Sequence, residues 1–392
     1  MEEPVICAIA RTPVGKYRGA LRAYSATQLG AMAVEELLSR VAIEPSSGIV
    51  EEVLMGLVLQ TGAGQAPARQ VALGAGLPHS TPCTTINKVC GSSLKAVMMA
   101  ASAIRAGEYE VVVAGGMESM TNAPYFAQKV GRDEYKEMQS VMVHDGLWDV
   151  YNDEHMGNTG ETISEECSIS RNDADSFSER SHRLAREAWE AGWLEKEAFP
   201  IEGLDKEGNK MMLLSDEGIR SDITSNSLAE MRPAFAADGK VTAGNASQLS
   251  DGASAILVAS RTRAEKEGWP ILAKVVDQIT SGLEPARVMS APIPAVNMLL
   301  ERNDLEVDDV DLFEHNEAFA SASCAVAQEV GIPEEKFNVH GGAVSIGHPL
   351  GATGARCLMT LVNALTRTGG KRGVVTICLG GGNAVAMLVE TE

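Results

Sequence analysis

Residues 87–97 read NKVCGSSLKAV and predict a strand-to-helix turn. Apolar and β-branched residues precede the turn at 83–86, and Leu94, Val97 and Ala101 recur after it at helical spacing. Cys90 therefore lies where backbone N–H groups and the positive end of a helix dipole converge. We expect a thiol there to ionise readily, and the thiolate is the nucleophilic form. Taken alone, the pattern is more typical of a buried structural cysteine, because free cysteines are among the most buried residues.

The composition excludes several classes of protein. The chain has 392 residues, enough for two or three domains, and its formal net charge of -20 argues against binding to nucleic acid or to anionic membranes. The 7 cysteines form no Cys-x-x-Cys pair, which is typical of a reducing compartment. The N-terminus does not resemble a signal peptide, and no apolar run reaches the roughly 18 residues of a membrane span. We therefore predict a soluble, cytoplasmic protein without a metal site.

Strands and helices alternate in both halves of the chain, which predicts a parallel or mixed sheet covered by helices. The predicted strands are residues 5–10, 49–59, 109–114, 254–259, 271–280, 373–378 and 384–389, and the predicted helices, besides the one after Cys90, are residues 25–40, 295–302, 317–330 and 351–366. The segment from about 120 to 244 is richer in Met, Asn, Asp and Glu. It predicts one helix, 173–192, with Asp173 as its N-cap, inside a small helical domain.

The second half of the chain resembles the first as a loose repeat. Cys90-Gly91 begins a helix that is followed by a strand ending in Gly115-Gly116, and His348-Pro349 begins a helix whose following strand ends in glycines 380–382. Two such halves related by a pseudo-twofold axis would bring Cys90 and His348 together. The predicted domains are 1–119, 120–249 and 250–392.

Four stretches carry reactive groups at turns, and they contain Cys90, Asn316, His348 and Cys378. A thiol beside a histidine forms a thiolate–imidazolium pair for covalent catalysis, and a second thiol can act as a general base. Each residue also has a structural interpretation: His348 as a turn residue, Asn316 as a helix N-cap, and Cys378 as part of the core. His315 and His340 are predicted to be surface or supporting residues without a role.

These stretches resemble the signature regions of the thiolase family. The matching segments are Asn-x-x-Cys-Gly-Ser at 87–92, GGMESM at 115–120, VTAGNAS at 241–247, NEAFA at 316–320, GGAVSIGHPLGATG at 341–354, and the closing Cys-x-Gly-Gly-Gly at 378–382. They occur in order along essentially the whole chain. The resemblance implies an α/β, thiolase-like fold. Two similar βαβ-type halves would pack in αβαβα layers, with an inserted loop domain.

The resemblance also implies a role for each residue of the site. Cys90 corresponds to the nucleophile that becomes a thioester, and His348 to the residue that activates it. Asn316 corresponds to the residue that holds a water in the oxyanion site, and Cys378 to the acid/base at the α-carbon or the leaving thiol. The N–H groups of Cys90 and Gly380 would form a second oxyanion hole.

The inserted domain corresponds to the coenzyme A site of the family. Arg220, Phe235 and Ser247 match positions that contact the nucleotide or the pantetheine arm, and His155-Met156-Gly157 resembles the pocket motif of short-chain members. Coenzyme A would then be a co-substrate, with no tightly bound cofactor. Acyl-CoA substrates and a homotetramer or homodimer are expected, without nucleic-acid or membrane partners.

The activity implied is that of an acyltransferase of fatty acid metabolism, which interconverts two acetyl-CoA with acetoacetyl-CoA and free CoA through a cysteine acyl-enzyme. A degradative 3-ketoacyl-CoA thiolase with longer substrates is the close alternative. A decarboxylating condensing enzyme shares the fold but would lack Cys378. A non-catalytic acyl-CoA-binding relative would have no reason to retain both cysteines, His348 and Asn316.

Overall fold

The computed structural model describes residues 2–392 as strands and helices that alternate along most of the chain. The strands are β1 (Pro4–Arg11), β2 (Gly15–Lys16), β3 (Glu52–Gly56), β4 (Cys83–Ile86), β5 (Val111–Ser119), β6 (Tyr125–Phe126), β7 (Gln139–Ser140), β8 (Trp148–Asp149), β9 (Glu154–His155), β10 (Ile201–Leu204), β11 (Lys210–Leu213), β12 (Ser250–Ser260), β13 (Ala273–Gly282), β14 (Leu312–His315), β15 (Arg372–Leu379) and β16 (Asn383–Glu390). The helices are α1 (Ala26–Arg40), α2 (Pro67–Gly74), α3 (Ser92–Ala106), α4 (Met156–Glu166), α5 (Arg171–Glu190), α6 (Ser225–Ala229), α7 (Arg261–Glu267), α8 (Pro292–Arg302), α9 (Ala320–Val330) and α10 (Thr353–Thr368).

The main sheet consists of two parts that meet at β1. Strands of the first half follow the order β4-β3-β5-β12-β1, and the order continues through β13-β16-β15-β14 in the second half. β1 pairs with β12 along its length but with β13 only at Val5 and Ile6. The short contact lets the two parts diverge, so that helices fit between them.

The layers follow from which helix packs on which face. α1 and α2 cover one face of the first sheet part, and α8 covers the outer face of the second. α3 and α10 lie between the two parts in a shared core with β1, β5, β15 and β16. A Cβ atom on Gly354 would lie 2.5 Å from the Leu94 nitrogen, so glycine permits the N-termini of the two central helices to touch. The predicted αβαβα layering is confirmed.

Hydrogen-bonding caps fix where several helices begin. Ser25 caps α1 in a capping box with Gln28, as the sequence suggests. α5 begins two residues earlier than predicted. Its N-cap is Ser170, and Asp173 is instead the third helical residue of the capping box. The prediction of Asp173 as the N-cap is therefore wrong, because the serine hydroxyl reaches the N–H of residue 173.

Other boundaries differ from the sequence analysis by a few residues. β5 continues through Gly115-Gly116 to Ser119, because pairing with β12 holds the two glycines in the ladder. β3 is shorter than the predicted 49–59, and α9 begins at Ala320 rather than at Glu317. β12, assigned by sequence to the last segment, pairs with β1 and β5 of the first half. The predicted domain division stays a prediction.

The segment between β5 and β12 contains two helices besides α5, namely α4 and the short α6, that were not predicted from the sequence. The apolar face of α4 is small, with Ile163 buried against Phe319 and Val241 in a satellite core. Its N-cap is His155, whose Nδ1 accepts the N–H of Gly157. Within residues 2–392, no helix is both long and apolar enough to cross a bilayer.

Candidate active site

Cys90 lies on a tight turn between β4 and α3, as the sequence predicts. Val89 has φ of 47°, a left-handed conformation that a β-branched residue rarely adopts. The Ser92 hydroxyl accepts the N–H of Lys88 at 2.8 Å and donates to the Val89 carbonyl at 2.6 Å, which stabilises the turn. The strained backbone places the sulfur of Cys90 at the wall of a cavity.

The Cys90 thiol is less acidic than the helix N-terminus suggests. Burial raises the pKa of Cys90 to about 12, and the charge of Glu118 adds to the shift. The N–H groups of Cys90 and Gly380 bond to the sulfur and oppose this effect, but they do not outweigh the loss of water. The expectation of a readily ionised thiol is therefore wrong for the resting site.

His348 is buried in the loop before α10, and its imidazole contacts a hydroxyl of that helix. Nδ1 lies 2.7 Å from Oγ1 of Thr353, and that hydroxyl donates to the Pro349 carbonyl at 2.9 Å. Because the single hydroxyl hydrogen is used, Thr353 accepts from Nδ1–H, which leaves Nε2 with a free lone pair. Burial and then the Arg356 charge lower the pKa of His348 to about 3. A neutral thiol and a neutral imidazole thus replace the expected ion pair.

Asn316 follows β14 and approaches the same imidazole. Its Nδ2 lies 3.4 Å from Nε2 of His348, at the outer limit of a hydrogen bond. Its Oδ1 is buried, and no residue among 2–392 donates to it. The amide therefore retains hydrogen-bonding capacity next to the nitrogen that faces the cavity.

Cys378 is buried near the end of β15, deeper than Cys90. Its Sγ contacts Sδ of Met289 at 3.6 Å, and Met289 lines the cavity. Burial raises the pKa of Cys378 well above its usual range, and the nearby Cys90 raises it further. Gly380, two residues on, presents its N–H to the Cys90 sulfur. The two thiols are thus close to each other, and Cys378 is the more deeply buried.

The cavity has a volume of about 370 Å³ and brings most of the predicted catalytic groups together. Cys90, His348 and Gly380 line it, with Ser247 and Met156 from the predicted coenzyme A set. Its other walls are largely apolar, and they include Val89, Leu147, Trp148, Met289, Phe319 and Leu350. Such a surface suits an acyl chain and a pantetheine arm.

Three predicted coenzyme A contacts lie outside the lining of this cavity. His155 caps α4 and stacks on Phe235 with ring centroids 4.7 Å apart, and Phe235 packs edge-on against Phe319 of the cavity wall. Arg220 lies against α5, with its NH2 group 3.4 Å from Nε2 of His182 on that helix. Their roles as ligand contacts stay predictions.

His315 and His340 are both 0% exposed, so of the two predicted alternatives the surface position is wrong for both, and the supporting position stays. His315 bonds Ser323 at 3.0 Å, and His340 accepts the Nε–H of Arg367 and stacks on Trp193. Aromatic and hydroxyl neighbours from distant segments bury them, which single-sequence patterns do not reveal.

Two kinds of site residue were not predicted from the sequence. Thr353 stood in the quoted GGAVSIGHPLGATG segment, five positions after His348, so its spacing was a usable signal. Residues 142–147 form a π-helical turn that contributes Leu147 to the cavity wall, and their composition carried no such signal. π-Helical turns often occur at functional sites.

A two-half α/β architecture with a cysteine, a histidine and backbone N–H groups in one cavity defines a protein built for acyl transfer through a thioester. The chain belongs to the thiolase family: the model of the thiolase N-terminal domain matches residues 4–262, and that of the C-terminal domain matches residues 269–391.

Relatives and solved structures agree over the full length. The chain is 42% identical to an acetyl-CoA acetyltransferase of Pseudomonas aeruginosa and 43% identical to one of Cupriavidus necator, covering 100% of each chain. The crystal structure of the Bacillus anthracis acetyl-CoA acetyltransferase has a TM-score of 0.95 at 37% identity, and human mitochondrial 3-ketoacyl-CoA thiolase has 0.95 at 36%. Each of the two matches covers 100% of this chain and 99% of the matched structure.

Proposed function

We propose that this chain is an acetyl-transferring thiolase that interconverts two acetyl-CoA with acetoacetyl-CoA and CoA through an acyl group on Cys90. One observation carries the proposal: Cys90, His348 and the N–H of Gly380 line one cavity, with Cys378 beside them. The full-length relatives that bear the name acetyl-CoA acetyltransferase support the acetyl group as the one transferred.

Acylation begins from the neutral pair. Nε2 of His348 takes the proton of the Cys90 thiol as the sulfur attacks the thioester carbonyl, so that no free Cys90 thiolate accumulates. Asn316 and His348 lie where they can stabilise the developing oxyanion. The bond from the carbonyl carbon to the CoA sulfur breaks, and the leaving thiolate takes the proton of the Cys378 thiol, so that Cys378 becomes a thiolate while His348 keeps the proton from Cys90.

Condensation requires a second base, because Cys90 is then acylated. Cys378 removes a proton from the α-carbon of the second acetyl-CoA, and the N–H groups of Cys90 and Gly380 are placed for an oxyanion. The α-carbon attacks the acyl carbonyl, the carbon–sulfur bond to Cys90 breaks, and the Cys90 sulfur takes its proton back from His348, while Cys378 keeps the α-proton as a thiol. The products are acetoacetyl-CoA and free enzyme.

Coenzyme A is the co-substrate of this reaction. Ser247 and Met156, which line the cavity, are its first contacts. Phe235, His155 and Arg220 are the further contacts that we propose for it. The apolar walls exclude water from the thioester, which favours transfer to CoA over hydrolysis.

The decisive experiment follows the acyl-enzyme and turnover together. Wild type is expected to consume acetoacetyl-CoA in a CoA-dependent manner, seen as loss of its enolate absorbance, and to carry one acetyl group on Cys90 by mass spectrometry. Cys90→Ala should lose both signals, whereas Cys83→Ala, a cysteine outside the cavity, should keep them. A stable acetyl group on Cys378 instead would overturn the assignment.

Chain-length preference and assembly form part of the same proposal. Higher turnover on longer 3-ketoacyl-CoA substrates than on acetoacetyl-CoA would point to the degradative alternative. We also propose a homodimer or homotetramer in the cytoplasm, supported by the open sheet edge at β4 and by the exposed side chains of Tyr125, Tyr135 and Met138. A monomer mass of 41.5 kDa by light scattering would contradict it.

A further inference from the structure

Glu118 is a fully buried carboxylate at the end of β5 that the proposed mechanism does not use. Its Oε2 accepts the N–H of Val58 at 3.1 Å and that of Gly351 at 2.9 Å. Its Oε1 accepts the N–H of Leu59 at 3.2 Å. One side chain thus holds the segment that follows β3, in the first half, and the loop that leads into α10, in the second.

The backbones around Glu118 are packed too closely for this contact to be incidental. A Cβ atom on Gly116 would lie 1.9 Å from the Gly351 carbonyl oxygen, and one on Gly351 would lie 2.5 Å from that of Met117. Glycine at both positions lets the His348 loop rest directly on β5. Glu118 then fixes how far along the strand the loop sits.

This contact bears on the reacting atoms because Gly351 is three residues from His348. Leu350, next to Gly351, packs in one apolar cluster with Val58, Leu59, Val89 and Cys90. The segments held by Glu118 therefore pack against the nucleophile on one side and carry the imidazole on the other. Within the proposed function, on which this inference rests, we propose that ionised Glu118 is a positioning residue that sets His348 against Cys90 across the two halves.

The charge state matters because both oxygens face hydrogen-bond donors. Three N–H groups surround the carboxylate, so a protonated Glu118 would direct its O–H against a donor. Burial raises the pKa of Glu118 to about 7, the three N–H groups oppose this shift, and Asp251 on β12 adds to it. Cys90 is the other titratable neighbour of Glu118. The segment after β3 and the His348 loop contact the carboxylate through the N–H groups of Val58, Leu59 and Gly351.

The first test compares Glu118→Gln with Glu52→Gln in the full-length enzyme. Glu52 is also a buried carboxylate of this sheet, and it bonds the Thr84 hydroxyl away from the cavity. We expect Glu118→Gln to lower kcat for acetoacetyl-CoA cleavage by about tenfold to a hundredfold, the cost of a small misplacement of a catalytic group, with KM for CoA within about twofold. Glu52→Gln should keep the wild-type kcat.

The pH profile distinguishes positioning from mere stabilisation. Wild-type kcat should fall on the acid side with an apparent pKa near 7, and Glu118→Gln should lose that limb while retaining its lower plateau. A variant with wild-type kcat and an unchanged acid limb would overturn the proposal.

Hydrogen exchange in the unsubstituted protein keeps the proposal testable if the variant fails to fold. The amides of Val58, Leu59 and Gly351 should lose at least about tenfold in protection, corrected for intrinsic rates, between pH 8 and pH 5.5. The neighbouring Leu57 amide, which bonds the Ile86 carbonyl, should not. Equal changes at all four amides would contradict the proposal. This measurement needs no turnover, so its outcome is separate from failure of the proposed activity.

Discussion

The two thiols of the site differ in what surrounds their sulfur atoms. Cys90 lies at the cavity wall with two N–H groups bonded to its sulfur, whereas Cys378 is buried against Met289. At the scale of single residues, this difference supports a division of labour in which Cys90 carries the acyl group and Cys378 moves the α-proton.

That division predicts a specific phenotype for Cys378→Ala. The variant should still be acetylated at Cys90 but should not exchange the α-protons of acetyl-CoA with deuterated water. Condensation should fall by about a hundredfold or more, the usual contribution of a positioned general base. Cys324→Ala, outside the cavity, is the control. Condensation by Cys378→Ala near the wild-type rate would mean that His348 moves every proton.

The hydroxyl of Thr353 gives a second prediction at this scale. Thr353→Val keeps the shape but leaves Nδ1–H of His348 without an acceptor, at a cost of about 1–3 kcal/mol, and frees the imidazole to change tautomer. We expect kcat to fall about tenfold or more, with Thr353→Ser close to wild type. Thr360 lies on the same helix as Thr353, and its buried hydroxyl donates to Glu197. Thr360→Val should therefore lower stability without lowering kcat in this way. Nitrogen-15 NMR of His348 should show the Nδ1–H tautomer in wild type; the Nε2–H tautomer would refute the assignment.

At the scale of elements, the turns before α3 and α10 do most to build the site. Each supplies one reactive side chain, Cys90 or His348, and glycine at the contact brings the two helix N-termini together. The segment between β5 and β12 adds α4 and α5, which place Met156 at the cavity and Arg220 against α5.

Arg220 carries the prediction for that inserted segment. Arg220→Ala should raise KM for CoA by up to about fivefold, equivalent to roughly 1 kcal/mol for a partly exposed charge contact, with kcat unchanged. Arg183→Ala on α5, whose guanidinium pairs with Glu187, is a matched control. If KM is unchanged, Arg220 makes no contact with the ligand and serves His182 alone.

At the scale of the whole molecule, the buried titratable groups have pKa shifts of opposite sign, which change the stability in opposite directions as pH changes. The pKa of His182 and of His340 falls to about 4, and that of His315 and of His348 to about 3, in each case chiefly through burial. Burial also raises the pKa of Glu118 to about 7 and that of Glu314 to about 8. The histidines stabilise the folded state less as pH falls below their unfolded pKa of about 6.5, and the carboxyls less as pH rises above about 4.3.

These signs predict a maximum of stability near pH 6.5. Between pH of about 4.3 and 6.5 the two sets oppose each other, because the unfolded chain gains protons on histidines while the folded chain keeps them on carboxyls, and the four histidines outweigh the two carboxyls, so the free energy of unfolding should rise with pH. From pH 6.5 to about 8 only the carboxyls contribute, so the free energy of unfolding should decrease. Below about 4.3 only the histidines contribute, and it should decrease further as pH falls. Urea unfolding at fixed protein concentration across this range measures it; a steady rise from pH 6.5 to 8 would contradict the prediction.

The local pattern of the sequence determined the elements and the motif residues of this protein. Alternating apolar runs, the Ser25 cap and the turn at Cys90 depend on neighbours a few positions apart, and such signals are legible without a fold. The family resemblance supplied the layered arrangement, and the loose internal repeat predicted the joint placement of Cys90 and His348. The observed strand boundaries differ from the predicted ones where sheet pairing outweighs a local signal. For example, pairing with β12 extends β5 past its two glycines.

Only the tertiary structure decided the chemistry of the groups that the sequence identified. The direction of the Cys90 pKa shift depends on water excluded by distant segments, which outweighs the local helix N-terminus. The burial of His315 and His340, the bond from His348 to Thr353 and the three N–H groups on Glu118 likewise join residues that folding brings together. Desolvation and hydrogen bonding act through space, so a pattern along the chain carries no measure of either.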